Sequence, residues 1–174
     1  KGKFCSVDTR GGLLISNNYF TYSYSNGTIA GASILYVLNH SSLSNVSATI
    51  TNNTIINTYA STILSYSFSL RYFSNTRVCN NILVSNGTLT AYALYDAGGS
   101  SGIPFISHNI LQSITASNIG FNNELNYSNT GYGTIDSYGR AATGNTLCIN
   151  KGLYLGQYYD IDLTRNDLGT YGGP

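Results

Sequence analysis

Charged residues make up only 9% of this 174-residue chain, and their placement excludes several common functions. Lys1, Lys3, Arg10, Arg71, Arg77, Arg140, Lys151 and Arg165 are scattered, so no basic patch could neutralise several phosphates together, and nucleic acid is not an expected partner. Acids are just as sparse. Asp8, Asp96, Glu124, Asp136, Asp160, Asp162 and Asp167 are the full set, and the 87 residues between Asp8 and Asp96 contain none. Enzymes acting on acidic polysaccharides need clustered carboxylates, either to hold calcium or to serve as acid and base. That stretch therefore offers no such chemistry. No apolar run approaches the roughly 18 to 20 residues of a membrane-spanning helix. No charged-then-apolar leader opens the chain, so we expect no membrane insertion and an export signal already removed.

What is present is polar, uncharged and β-prone. The chain holds 21 Asn, 22 Ser, 18 Thr and 16 Tyr, lacks Met and Trp, and has a formal net charge of +1. Low charge alone would permit disorder, but 42% hydrophobic residues spread throughout are enough for a core. Length gives no reason to divide residues 1–174 into more than one domain. Asn-x-Ser/Thr sequons at Asn26, Asn39, Asn45, Asn52, Asn86 and Asn126 are candidate glycosylation sites. A chain this rich in Asn, Ser and Thr also generates sequons by chance, so they count only beside the low charge and abundant Tyr. Together these features place it outside the cell or on its surface. Cys5, Cys79 and Cys148 match no zinc or redox spacing. Two readings stay open for them: one disulfide with a free or intermolecular thiol, or three buried small apolar side chains.

A repeat organises the chain. Four segments share an apolar residue, a small residue, an Asn pair or its equivalent, any residue, and a second apolar residue. They are Ile15-Ser16-Asn17-Asn18-Tyr19-Phe20, Ile50-Thr51-Asn52-Asn53-Thr54-Ile55, Val78-Cys79-Asn80-Asn81-Ile82-Leu83 and Ile106-Ser107-His108-Asn109-Ile110-Leu111. The last Asn recurs at Asn18, Asn53, Asn81 and Asn109, in steps of 35, 28 and 28 residues. Further strand-prone runs lie at 33–38, 62–72 and 89–95, separated by Gly- and Ser-rich turn material, so each period holds two or three short strands. Such a period, with no helical pattern of useful length, fits a solenoid of stacked coils. A tight bend between two strands needs left-handed backbone, which Asn tolerates. The same Asn amide can bond to its counterparts above and below as a ladder, with the flanking apolar residues pointing inward. A β-sandwich with accidental Asn pairs is the alternative.

The I-x-N-N-x-I/F/L coils resemble those of right-handed parallel β-helix repeat proteins, the group with pectin-lyase-like folds. The ending Asp160-Ile161-Asp162-Leu163-Thr164-Arg165-Asn166-Asp167-Leu168-Gly169-Thr170-Tyr171-Gly172-Gly173-Pro174 is similar to the D-x-D-x-x-R-x-D-x-G-x-Y-G-G-P close of many extracellular members. The resemblance covers about residues 13–174 and implies an all-β, right-handed parallel β-helix with residues 145–174 as a C-terminal cap. It implies little about function, because the group includes lyases, hydrolases, epimerases, adhesins and passive scaffolds. Residues 1–12 carry no amphipathic helix that could cover the first coil, so we expect either a piece of a longer solenoid or an open end that meets another protein.

Few residues qualify for a site. Asp160, Asp162 and Asp167 could hold Ca2+, but the expected role of these acids is to fasten the final loop across the last coil, paired with Arg165 and backbone amides. His108 stands where the other coils have Asn, so it reads as a ladder substitute. His40 has no carboxylate in its coil to orient it, so no catalytic residues are assigned. Tyr19, Tyr22, Tyr24, Tyr59, Tyr66, Tyr72, Tyr154, Tyr158 and Tyr159 could stack on sugar faces or make protein contacts, or simply reflect strand propensity. The leading expectation is a non-catalytic structural or surface module that associates with itself as a filament, sheath or layer. Its rivals are a carbohydrate-binding or adhesin module, and the remnant of a polysaccharide lyase or glycosidase whose site lies elsewhere.

Overall fold

The computed structural model describes residues 3–9, 11–22, 32–39, 46–57, 65–71, 73–85, 91–96, 102–112, 114–117, 126–128, 133–155, 160 and 162–172. For strand residues 3–9, 22, 32–39, 57, 65–70, 91, 95–96, 115–117 and 128 it describes the backbone alone. Among the described residues there are strands and turns and no α-helix.

Fourteen strands form three parallel sheets. The first sheet takes β1 (Lys3–Thr9), β4 (Ala32–Asn39), β7 (Ser65–Arg71), β10 (Ala91–Asp96) and β13 (Thr115–Ser117). The second takes β2 (Leu13–Ser16), β5 (Ser47–Thr51), β8 (Asn75–Cys79) and β11 (Phe105–Ser107). The third takes β3 (Tyr19–Tyr22), β6 (Thr54–Asn57), β9 (Ile82–Ser85), β12 (Ile110–Gln112) and β14 (Tyr127–Ser128). Each run of three strands thus adds one strand to every sheet, which gives the chain its all-β, solenoid-like character. The strand-prone runs at 33–38, 62–72 and 89–95 overlap β4, β7 and β10. Residues 3–9 form β1, which lies beside β4.

Register explains the core. Ile15, Ile50, Val78 and Ile106 are successive partners across the second sheet, and Phe20, Ile55, Leu83 and Leu111 across the third. Because side chains alternate along a strand, keeping these residues in register keeps every one facing inward. They meet in one apolar cluster with Val46, Ala48, Phe73, Ala93 and Leu94. Burying each large aliphatic side chain stabilises the stack by roughly 1.5–3 kcal/mol.

β9 breaks the expected alternation, since all four of its residues are buried. Its outward residues Ile82 and Val84 join Ile110, Cys148 and Leu168 in a second cluster, flanked by Ile56, Tyr127, Ile135 and Ala141. Residues 133–155 and 162–172 supply that cover. They run lengthwise back along the bend between the second and third sheets: Leu153 N–H donates to Asn80 Oδ1 (2.6 Å), Thr170 N–H to Thr54 Oγ1 (3.0 Å), and Asn17 Nδ2 to the Gly172 carbonyl (3.1 Å). The physical reason is the apolar outer face of the third sheet, which has to be buried somewhere.

Candidate functional site

The repeated Asn pair divides its labour. The first member takes the left-handed bend: Asn17, Asn52, Asn80 and His108 have φ of 57°, 55°, 60° and 53°. The second member forms the ladder. Asn18 Nδ2 donates to Asn53 Oδ1, Asn53 to Asn81 and Asn81 to Asn109, each at 2.9 Å, and Asn109 continues to Asn126 at 3.0 Å. Each acceptor oxygen also takes the backbone N–H of the preceding ladder Asn. Assigning the bend and the ladder to one Asn is therefore corrected. So is His108 as a ladder substitute: it occupies the bend column, its Nδ1 2.7 Å from Ser107 Oγ, while Asn109 keeps the ladder. A signal was present, because imidazole cannot reproduce an amide's paired donor and acceptor, yet Asn109 follows it intact.

The C-terminal strap seats on the bend column. Asn52 Nδ2 donates to Asn166 Oδ1 (2.8 Å), Gly169 N–H to the Asn80 carbonyl (2.8 Å), and Thr170 Oγ1 to the Asn18 carbonyl (2.9 Å). Gly169 is required there: its φ is 89°, and a Cβ would lie 2.5 Å from Thr54 Oγ1 and 2.7 Å from Ile82 Cδ1.

The three C-terminal acids serve backbone turns. Asp160 accepts the Asp167 N–H (3.2 Å), Asp162 accepts the Thr164 N–H and hydroxyl (3.0 and 2.7 Å), and Asp167 accepts the Asn150 N–H (2.7 Å). The expected pairing with Arg165 is replaced by a bond from Arg165 Nε to the Gly152 carbonyl. Thr164 holds the Asp162 carboxyl below its usual range. Burial pushes Asp167 up, with Asp160 and Asp162 adding to the rise. Among the described residues no three His, Cys, Asp or Glu are grouped to hold a metal ion. Asp136 is different in kind: the Arg140 N–H and guanidinium lower its pKa, and Arg140 lies 5.3 and 5.9 Å from the Tyr138 and Tyr171 rings.

The concave surface lies on the outer face of the second sheet. A groove of about 320 Å3 is lined by Ser47, Ala48, Thr49, Asn75, Thr76, Arg77, Ile103 and Phe105. Thr49, Arg77 and Phe105 are partners in register across β5, β8 and β11, so the groove crosses the repeats. The Arg77 guanidinium sits 5.3 Å from the Phe105 centroid, and Phe105 packs in turn on Cys79 and Leu153. This arrangement offers one cation, several hydroxyl and amide groups and an apolar end. None of these residues lies within the repeat motif, which begins one position after Thr49, Arg77 and Phe105, and the sequence reading missed them.

The other expected residues fall as follows. Tyr19 lies under the strap, where a Cβ on Gly139 would come within 2.7 Å of its ring, so it presents no free row for sugar. Side chains of Tyr22, Tyr66, Asn39 and Cys5, and all of Tyr24, Tyr72, Asn26, Asn45 and Asn86, lie outside the described residues. One sequon is corrected: Asn52 is buried and its Nδ2 donates to both Asn166 Oδ1 and the Asp167 carbonyl, so a glycan on that nitrogen is incompatible with this packing, while Asn126 is half-buried and its Nδ2 donates to the Ile106 carbonyl (3.0 Å). Cys79 and Cys148 are both buried, and burial pushes Cys148 up to about 12. Comparison with protein-family models, with curated proteins and with solved structures found no match to this chain.

Proposed function

We propose that this chain is a right-handed parallel β-helix of the pectin-lyase-like kind, exported from the cell, which acts as a non-catalytic structural module by associating with further copies of itself. The observation that carries the reading is where apolar surface remains. Of the described residues, Leu14, Ile103, Tyr138, Leu147, Tyr154, Leu155, Leu163 and Tyr171 are the large hydrophobics left exposed, and all but the first two lie on the strap. Exposed Leu and Tyr on a segment of a chain with little charge to repel a neighbour are suited to protein contact. Sedimentation velocity across a concentration series, followed by electron microscopy, tests it. Growth of ordered oligomers with concentration is expected, and a single monomeric species throughout would sink the reading.

A second reading rests on the groove. Arg77, Asn75, Ser47 and Thr49 could bond the hydroxyl and carboxyl groups of a cell-surface polysaccharide, making the chain a carbohydrate-binding or adhesive module. Retention in polysaccharide-containing gels that is lost on Arg77→Ala would favour it.

A further inference from the structure

We propose that Leu163 of one copy docks in the groove at Arg77, Ile103 and Phe105 of a second copy, joining chains head to tail through two different surfaces; this rests on the self-association reading above.

Leu163 is an unusual residue in an unusual place. Its φ is 63°, and it is the one positive-φ residue among those described that is neither Gly, Asn nor His. A branched apolar side chain in that conformation is strained, where Asn or Gly would relieve the strain. The side chain gains no burial in return, being 80% exposed. The turn beneath it is braced: Leu163 N–H donates to the Asp160 carbonyl (2.8 Å), Asp160 N–H to the Thr164 carbonyl (3.2 Å), and Thr164 to Asp162 Oδ1 through both N–H and hydroxyl. The result is an apolar knob held in one geometry before any partner arrives, so little order remains to be lost on binding.

The groove matches that knob in two ways. Its apolar end is Ile103, itself 62% exposed, together with Phe105. Its charged element is Arg77, 5.3 Å from the Phe105 centroid, while the Asp162 carboxylate stands next to Leu163, positioned by two bonds from Thr164. Apolar surface would meet apolar surface and acid would meet base in one docking event. None of the described residues 160 and 162–164 lines the chain's own groove, so a Leu163 docked there would come from a second molecule. A contact between two unlike patches does not close on itself as a two-fold dimer does, and each added copy presents a fresh knob and a fresh groove.

The test compares the parent with Leu163→Asn, Ile103→Ser, Arg77→Asp and the double variant Arg77→Asp/Asp162→Arg in sedimentation velocity, with Tm measured in parallel. Leu163→Asn removes the knob while keeping a residue that tolerates the backbone. It is expected to weaken association about tenfold or more while Tm stays level or rises. Arg77→Asp should weaken association and the double variant should restore it. Under oxidation, a mixture of Leu163→Cys and Ile103→Cys chains should give cross-links absent from the parent. If the parent assembles and Leu163→Asn assembles equally well, this contact is overturned while self-association stands. A parent that stays monomeric at every concentration overturns both. If groove variants lose only polysaccharide retention and assemble normally, the groove belongs to a sugar and the proposal is wrong.

Discussion

Asn81 makes the same bonds as Asn53 and Asn109, one repeat before it and one after, whereas Asn166 and Thr170 each make bonds of a kind used once. The stack and the strap therefore differ less in bond chemistry than in multiplicity. In the stack a ladder amide is braced from both sides, so its loss strands partners in two coils at once. In the strap each contact joins one residue to one point on the bend column, and its loss is local. The comparison teaches that the stack should unfold as a unit, while the strap should open at lower free energy as its own segment.

The largest effect expected is that of Asn81→Ala. It removes the acceptor for the Asn53 N–H and amide and the donor to the Ile50 and Cys79 carbonyls, all of them buried. Leaving several such groups unsatisfied costs about 3 kcal/mol or more. Urea unfolding followed by circular dichroism should show it across the whole chain, and a loss confined to one coil would break the picture of a cooperative stack.

Leu168→Ala comes next. The side chain is buried in the cluster between strap and third sheet, and its truncation should cost about 2–3 kcal/mol. Hydrogen exchange should rise mainly over residues 133–172. If the ladder amides of Asn53 and Asn81 lose protection equally, strap and stack are one cooperative unit and the distinction fails.

Asn17→Gly keeps the left-handed bend and removes two donated bonds, to the Thr170 and Gly172 carbonyls, at a part-exposed site. About 1 kcal/mol is expected, read as faster proteolysis near residue 170 with little change in the stack.

The smallest effect concerns pH. Because Asp167 has its pKa raised in the folded chain, its contribution is favourable when protonated and is lost as pH rises through that raised value. Asp167→Asn should therefore stabilise the chain at neutral pH by well under about 1 kcal/mol, given the screening of a half-exposed group. That gain should shrink as pH falls toward and below the usual carboxylate range. A difference in Tm that grows in acid would mean the sign is reversed. Asp136 and Asp162, with lowered values, work the other way in parent and variant alike, and lose their contribution only in strong acid.

Part of the candidate contact surface was visible in the amino acids and part was not. Asp160, Asp162 and Asp167 stood out as the one acid cluster, but Leu163, next to Asp162, looked ordinary, because its significance is a backbone angle and an exposure. Ile103 and Phe105 are unremarkable in composition and matter only because β11 lies beside β8, which puts them next to Arg77. Tyr19 shows the opposite failure. It was conspicuous in a run of aromatic residues, yet it lies under a turn more than a hundred residues later in the chain.

By itself the sequence determined what recurs. The apolar columns at Ile15, Ile50, Val78 and Ile106, the ladder at Asn18, Asn53, Asn81 and Asn109, and the strands between them follow from a spacing that stacks like on like, and any residue out of register would face the wrong way. Only the tertiary structure decided the path of residues 133–172, the separation of bend from ladder, and the meeting of Arg77 with Phe105. Those features depend on single contacts between distant residues, and a contact made once leaves no period to read.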